Sequence, residues 1–226
     1  MKLLLWLMAL VLLASVKTAL GTEPSAISSE PPVGSVMLWN GRDLGGWTVF
    51  FKEPEKVPGP VWSLHDAALN FQKVDSLGYV RTEKSYGDYH LHVEWRWPDG
   101  AGNSGVLLQM QAPDAVWTTC MEAQLKSGAA GYLIAMGSLD FEGGALDRGR
   151  RRKPPVTASA EKPLGEWNRY DIFCRGNTIE VYVNDQLMNR VAKVSHTSGY
   201  IGLQCEGAAV EFKNLWLLPL DRKNAE

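Results

Sequence analysis

The stretch Tyr89-His-Leu-His-Val-Glu-Trp-Arg-Trp97 alternates without a break: Leu91, Val93, Trp95 and Trp97 fall on one side of an extended chain, and His90, His92, Glu94 and Arg96 on the other. Successive side chains of a strand point to opposite faces, so this period of two describes a half-buried β-strand. Its polar side is unusual in kind. A solvated face ordinarily mixes Lys, Thr, Ser and Glu, whereas here two imidazoles, a carboxylate and a guanidinium stand in one row. Pro98-Asp-Gly-Ala-Gly-Asn-Ser-Gly105 then turns the chain before a second apolar run, Val106 to Met110. Titratable groups beside a glycine-rich turn are suited to lining a polar pocket.

The same short-strand texture recurs along the chain. Candidate strands are Trp47 to Phe51, Val61 to Leu64, Ala68 to Phe71, Gly78 to Thr82, Tyr89 to Trp97, Gly105 to Met110, Cys120 to Leu125, Trp167 to Arg175, Thr178 to Val183, Gln186 to Ala192, Gly199 to Glu206 and Val210 to Leu218. Arg175-Gly176-Asn177 and Asn184-Asp185 read as hairpin turns, because these residues tolerate positive φ. Many even strands with polar turns and little 3.6-residue period predict an all-β fold: two packed antiparallel sheets in a jelly-roll sandwich. Residues 127–163 break the pattern, and a connection that long is expected to overhang one sheet and wall its site.

The ends carry other signals. Residues 1–21 have a positive start, an apolar run from Leu3 to Ala14 and small residues at Ala19-Leu20-Gly21, the layout of a signal peptide. Export to a secreted or periplasmic location follows as an expectation, with no stable membrane insertion after cleavage. Residues 22–34 read as a flexible leader, 35–220 as the domain and 221–226 as a tail. Loss of Lys2 and Lys17 with the signal takes the net charge from −2 to −4. A mildly acidic chain lacks the basic face that nucleic acid requires. The run Arg148 to Lys153 is the exception, open to reading as a solvated loop or an anion contact. Cys120, Cys174 and Cys205 allow at most one disulfide, match no zinc spacing and suit core packing.

Applied to Met121–Leu125 and Tyr200–Glu206, alternation puts Glu122 with Gln124, and Gln204 with Tyr200, Gly202 and Glu206, on polar faces. If these strands neighbour Tyr89–Trp97, then His92, Glu94, Arg96, Asn103, Glu122, Gln124 and Gln204 converge on one hollow. Inward amides suit sugar hydroxyls, since each offers donors and an acceptor. Simpler roles stand beside these: a Glu94–Arg96 ion pair, a packing role for His92, turn capping by Asn103 and Ser104. Of nine tryptophans, one in the signal, Trp39, Trp47, Trp62, Trp95, Trp167 and Trp216 are expected mostly in the core, with Trp97 and Trp117 at a pocket rim. No esterase elbow, phosphate loop, zinc-protease helix or dinucleotide fingerprint is present.

Several segments, in order, resemble the DUF1080 or 3-keto-disaccharide hydrolase domains: Leu38–Trp47, Tyr86–Arg96, Gly102–Gln109, Glu122–Gln124, Gly165–Asn168, Gly199–Gln204 and Val210–Asn214. The resemblance implies a concanavalin-like, laminin-G-like jelly roll in an exported protein with a carbohydrate ligand, and cleavage of glycosides oxidised at C3 by hydrolysis or by elimination through an enolate. For that chemistry Glu122 or His92 is expected as base, Glu94 as orienting group or acid, and Arg96 and Asn103 as donors; Gln124, Gln204, Trp97 and Trp117 are the sugar contacts that the residue pattern itself suggests. A carbohydrate-binding domain without catalysis is the alternative. No cofactor is implied, although a divalent metal is not excluded by the residues. Many relatives carry an aspartate after the Glu-x-Gln strand; this chain reads Gln124-Leu-Lys-Ser-Gly-Ala-Ala-Gly-Tyr132.

Overall fold

The computed structural model describes residues 27–57 and 59–221, and shows sixteen strands in two eight-stranded antiparallel sheets. Sheet I runs β14 (Gln186–Val191), β13 (Thr178–Val183), β12 (Asn168–Arg175), β6 (Tyr89–Arg96), β16 (Val210–Pro219), β4 (Ala68–Phe71), β3 (Trp62–His65), with β1 (Val36–Met37) also paired to β16. Sheet II runs β10 (Ala145–Asp147), β11 (Arg150–Lys153), β9 (Leu133–Met136), β8 (Cys120–Gln124), β7 (Gly105–Met110), β15 (Tyr200–Cys205), β5 (Gly78–Thr82), β2 (Trp47–Phe51). The expected all-β sandwich is therefore the observed one. A 3₁₀ turn at Pro54–Lys56 is the helical element among the described residues, and no helix there is long and apolar enough to cross a membrane.

Local chemistry explains the turns. Asn184 and Asp185 both take positive φ, 48° and 71°, joining Val183 to its partner Gln186 in the two-residue hairpin that such residues favour. The inward face of β6 places Leu91, Val93 and Trp95 beside Tyr170, Ile172 and Phe212, against Val106, Leu108, Met121, Ala123 and Leu203 of sheet II. Each such fully buried side chain contributes roughly 1.5–3 kcal/mol of hydrophobic stabilisation before chain entropy is counted. All three cysteines are free and buried here, and burial pushes the Cys174 thiol up to about 12, which keeps it inert.

Several expectations need correction. Trp97 is not at a rim but 2% exposed in the core, where a Cβ on Gly102 would come within 2.5 Å of its ring. Residues 127–163 do more than overhang: they add β9, β10 and β11 to sheet II. The part of the presumed flexible leader that is described lies against sheet I, with Ile27 N–H bonded to Asp185 (2.9 Å) and the Ser29 carbonyl accepting the Trp216 indole N–H (3.1 Å). The signal peptide, residues 22–26 and the last five residues lie outside the described residues.

Candidate functional site

Consecutive strands β6 and β7 belong to different sheets, so the glycine-rich loop between them crosses the sandwich and is not a hairpin. This separates the expected constellation. His92, Glu94 and Arg96 lie on the outer face of sheet I; Asn103, Glu122, Gln124 and Gln204 belong to sheet II and its loops. With packed sheets about 10 Å apart, the two outward faces cannot share a ligand.

The sheet I face carries a buried polar network centred on one carboxylate. Asp171, fully buried on β12, lies opposite His92 in register, and its Oδ1 accepts from His90 Nε2 (2.9 Å) and His92 Nδ1 (2.8 Å). Burial alone would push the Asp171 carboxyl up; the two imidazole bonds outweigh it and hold it below the ordinary 3.8. His92 stacks on Trp216 with ring centres 4.8 Å apart, and His90 on Phe173 at 4.1 Å. A bulge at Asn214, φ 49°, shifts the alternation of β16 so that Trp216 faces outward over His92. Glu94 accepts from Asn214 Nδ2 (2.7 Å) and faces Lys213; burial opposes its ionisation, but His92, Asn214 and Lys213 pull its pKa to about 2. Arg96 pairs with Glu211, not Glu94, and lies over the Trp167 ring. His92 thus takes its packing role, fully buried, while Glu94 lines a hollow of about 120 Å³ beside Trp167 and Arg169, on the face opposite Glu122.

Sheet II presents the opposite situation. Register aligns Arg152, Ile134, Glu122, Leu107 and Gly202 across five strands, all on the outer face. Glu122 is 3% exposed and has no hydrogen-bond donor among the described residues. Burial, reinforced by the nearby Glu206 carboxylate, raises its pKa to about 7. Gly105 is the bare floor beneath it: a Cβ there would stand 2.9 Å from Glu122 Oε1 and 3.2 Å from Gln204 Oε1. Gln204 Oε1 and Asn103 Oδ1 are buried acceptors without partners, and the Asn103 amide N–H₂ donates to Glu206. Gln124 is less available, because its Oε1 accepts the Lys126 N–H at 2.8 Å and caps its own loop. Two carboxyls and two amides gathered about Gly105, whose missing side chain makes room for Glu122 and Gln204, are the equipment for proton transfer on a hydroxylated ligand.

Two walls rise beside this floor. The loop 111–118 is tied down at Asp114, which accepts from Arg81 Nε and Nη2 (2.6 and 2.8 Å) and from the Tyr79 hydroxyl (2.9 Å). Its Trp117, 43% exposed, supports the Arg150 guanidinium 4.1 Å above the ring, joining the loop to the β10–β11 hairpin. Beyond Glu206 a hollow of about 270 Å³ opens between it, Gly207 and Val74–Leu77. The sequence places Glu206 on a polar face without a role, and Arg150 and Arg152 belong to the run left open between a solvated loop and an anion contact. Glu206 follows Gln204 by two and shares its face, a signal that alternation carried; the arginines are brought in by a hairpin that no local pattern announces.

The chain resembles a candidate glycosyl hydrolase of Parabacteroides distasonis ATCC 8503 (22% identity, TM-score 0.61, covering 83% of this chain and 95% of that one). It also resembles the β-glucanase of Bacillus licheniformis (13%, 0.57, 83% and 99%) and the carbohydrate-binding module CBM66 of Bacillus subtilis (16%, 0.53, 75% and 93%). At these identities the likeness establishes the jelly-roll fold. No curated protein matches the chain. Residues 34–218, almost the whole of the described structure, match the model of the 3-keto-alpha-glucoside-1,2-lyase-like domain, and the chain belongs to that family of carbohydrate-acting or carbohydrate-binding jelly rolls.

Proposed function

We propose that this protein cleaves glycosides already oxidised to a ketone at C3, and that the outer face of sheet II does so. The observation that carries this reading is Glu122: a buried carboxyl with a pKa of about 7, standing over the Gly105 floor beside a second carboxyl. A base works best when its pKa lies near the working pH. The carbonyl at C3 makes the C2 hydrogen acidic. Glu122 takes that proton, and the C–H electron pair forms the C2=C3 enolate with its charge on the C3 oxygen. Return of the pair restores C3=O, forms C1=C2 and breaks the C1–O bond; the departing oxygen takes a proton from Glu206, whose pKa burial also raises. The products are a 1,2-unsaturated 3-keto sugar and the free alcohol, and water adding across C1=C2 completes a net hydrolysis. Asn103 and Gln204 hold ring hydroxyls through their unpartnered oxygens. Like charges on Glu122 and Glu206 favour one shared proton, which is the state able both to accept and to give.

The family match supports this substrate class, and the signal-like residues 1–21 support export, which N-terminal sequencing of the protein from a native host checks. The test of the chemistry is turnover of 4-nitrophenyl 3-keto-α-glucoside in D₂O. Nitrophenol release with deuterium incorporation at C2 is expected, with Glu122→Gln slower by at least about 10²-fold. Binding of glycans without turnover of any keto-glycoside would instead place the chain with non-catalytic carbohydrate-binding domains, the reading that the unpartnered amides would then serve.

A further inference from the structure

The basic run from Arg148 to Lys153, open in the sequence between a solvated loop and an anion contact, folds into a strand with two unlike faces. Alternation along β11 puts Arg150 and Arg152 on the outer face of sheet II and Arg151 on the other side, where Asp140 neutralises it. Arg152 stands in the same row as Glu122, two strands away, with Ile134 of β9 between them. Two strand spacings are about 10 Å, within the reach of an arginine and a sugar substituent together. The charges of both guanidiniums act on Glu122, and that of Arg150 acts on Glu206 as well.

Neither guanidinium is held as a structural arginine is. Arg81, on the same face, is gripped through two nitrogens by Asp114. Arg150 has no carboxylate within ion-pair distance among the described residues; its contact is the Trp117 ring, 4.1 Å away, and such a stack fixes the guanidinium plane while leaving its N–H edge for an acceptor. Arg152 lies 3.4 Å from Asp147, yet its buried Nε–H has no hydrogen-bond acceptor. Arginines placed to keep Glu122 ionised would touch it, as the imidazoles touch Asp171; instead Glu122 stays raised to about 7 and Glu206 is raised too, so the carboxyls leave much of this positive charge uncompensated. Two neighbouring guanidiniums with spare N–H groups suit a planar or tetrahedral oxyanion. Resting on the reading of the site given above, we propose that Arg150 and Arg152 together receive an anionic group of the glycoside, a carboxylate or sulfate carried by the sugar or by its leaving group, so that the substrates are acidic 3-keto-glycosides.

The experiment compares three substrates: 4-nitrophenyl 3-keto-α-glucoside, which is neutral; 4-nitrophenyl 3-keto-α-glucuronide, with a carboxylate on the sugar; and the 3-keto-α-glucoside of 3-carboxy-4-nitrophenol, with a carboxylate on the leaving group. At least one acidic substrate is expected to exceed the neutral one in kcat/KM by about tenfold, and which one does so tells where the charge is carried. Raising ionic strength from about 0.02 to about 0.5 M should shrink the advantage. Arg150→Ala and Arg152→Ala are each expected to lower it, the double variant to abolish it, and Arg150→Lys to keep part of it, while Arg151→Ala, on the other face, leaves it in place. Because the ratio is taken within one variant, changes in Glu122 ionisation or in the amount of folded protein cancel. No preference for either acidic substrate in wild type, an unchanged ratio in the double variant, or an equal fall in Arg151→Ala overturns the anion site, while turnover of the neutral substrate keeps the catalytic reading intact. If no keto-glycoside turns over, that reading falls, and calorimetry decides the anion site alone: tighter binding of methyl glucuronide or 4-carboxyphenyl glucoside than of methyl or phenyl glucoside supports it, and equal binding overturns it.

Discussion

On sheet I, Asp171 accepts from two imidazoles and faces a guanidinium, Arg169 Nε 3.4 Å away; on sheet II, Glu122 accepts from no donor among the described residues. Both carboxyls are buried, and both sit at the centre of an outward sheet face. Partners make the difference. Where donors surround a buried charge, burial is compensated and the carboxyl stays ionised; where they are withheld, the carboxyl holds its proton to about pH 7 and is poised to exchange it. The kinds of residue do not distinguish a structural network from a reactive one, and a row of histidines is no better guide than a lone glutamate. Whether the central carboxyl has donors is what separates the two faces.

The comparison can be broken most forcefully at Asp171. Asp171→Asn removes the charge on which two imidazoles converge and is expected to destabilise the fold by about 3 kcal/mol, as for other broken buried pairs. The pH window follows from the shifts. The lowered Asp171 pKa gives stability above its ordinary 3.8, lost as pH falls through the folded value. Burial lowers the His92 pKa, but Asp171 and Glu94 raise it more, so its stability is full below the ordinary 6.5 and fades as pH rises through the folded value. Denaturant melts should therefore show the largest difference from wild type between about pH 4 and 6.5, and a flat difference across pH would contradict the network.

Glu122→Gln sharpens the opposite pole. Because the folded pKa lies above the ordinary 4.5, ionising Glu122 costs stability as pH rises past that value. A shift to about 7 corresponds to roughly 3 kcal/mol at pH 8, so the variant should melt higher than wild type at pH 8 and equally at pH 4, while losing activity. A variant less stable at pH 8 would mean that the carboxylate has partners after all. The smallest effect on stability is expected from Glu206→Gln, which removes the like charge and should lower the Glu122 pKa, measurable by carbon NMR of the labelled carboxyl.

Much of this was visible in the residues. Twelve strands followed from alternation and turn chemistry, and alternation correctly sorted Glu122 with Gln124, Gln204 with Glu206, and His92 with Glu94. What it could not supply is which sheet a strand joins, because the period of two fixes a face relative to neighbours in the same strand only. Pro98 to Gly105 has the composition of a hairpin and of a crossing alike, and taking it for the former merged two faces into one. Leu133–Met136 was missed for a related reason: all four residues are buried, since an apolar cluster of Leu107, Met110, Cys120, Ile134 and Met136 covers part of the outer face and erases the alternation. The charge run at 148–153 conceals β11 because its strand character comes from pairing with β9 and β10.

The β10–β11 hairpin has one more consequence. It ends sheet II, and the outermost strand, β10, is three exposed residues long, with unpaired backbone groups on its free side. Such a margin invites another copy to add its own strand and extend the ladder into fibres. Here the adjoining strand reads Arg-Arg-Arg-Lys, with Arg151 paired to Asp140 and Arg152 to Asp147, so two copies approaching margin to margin would bring the like charges of Arg150 and Lys153 together, one of the ways in which charge discourages edge-to-edge pairing.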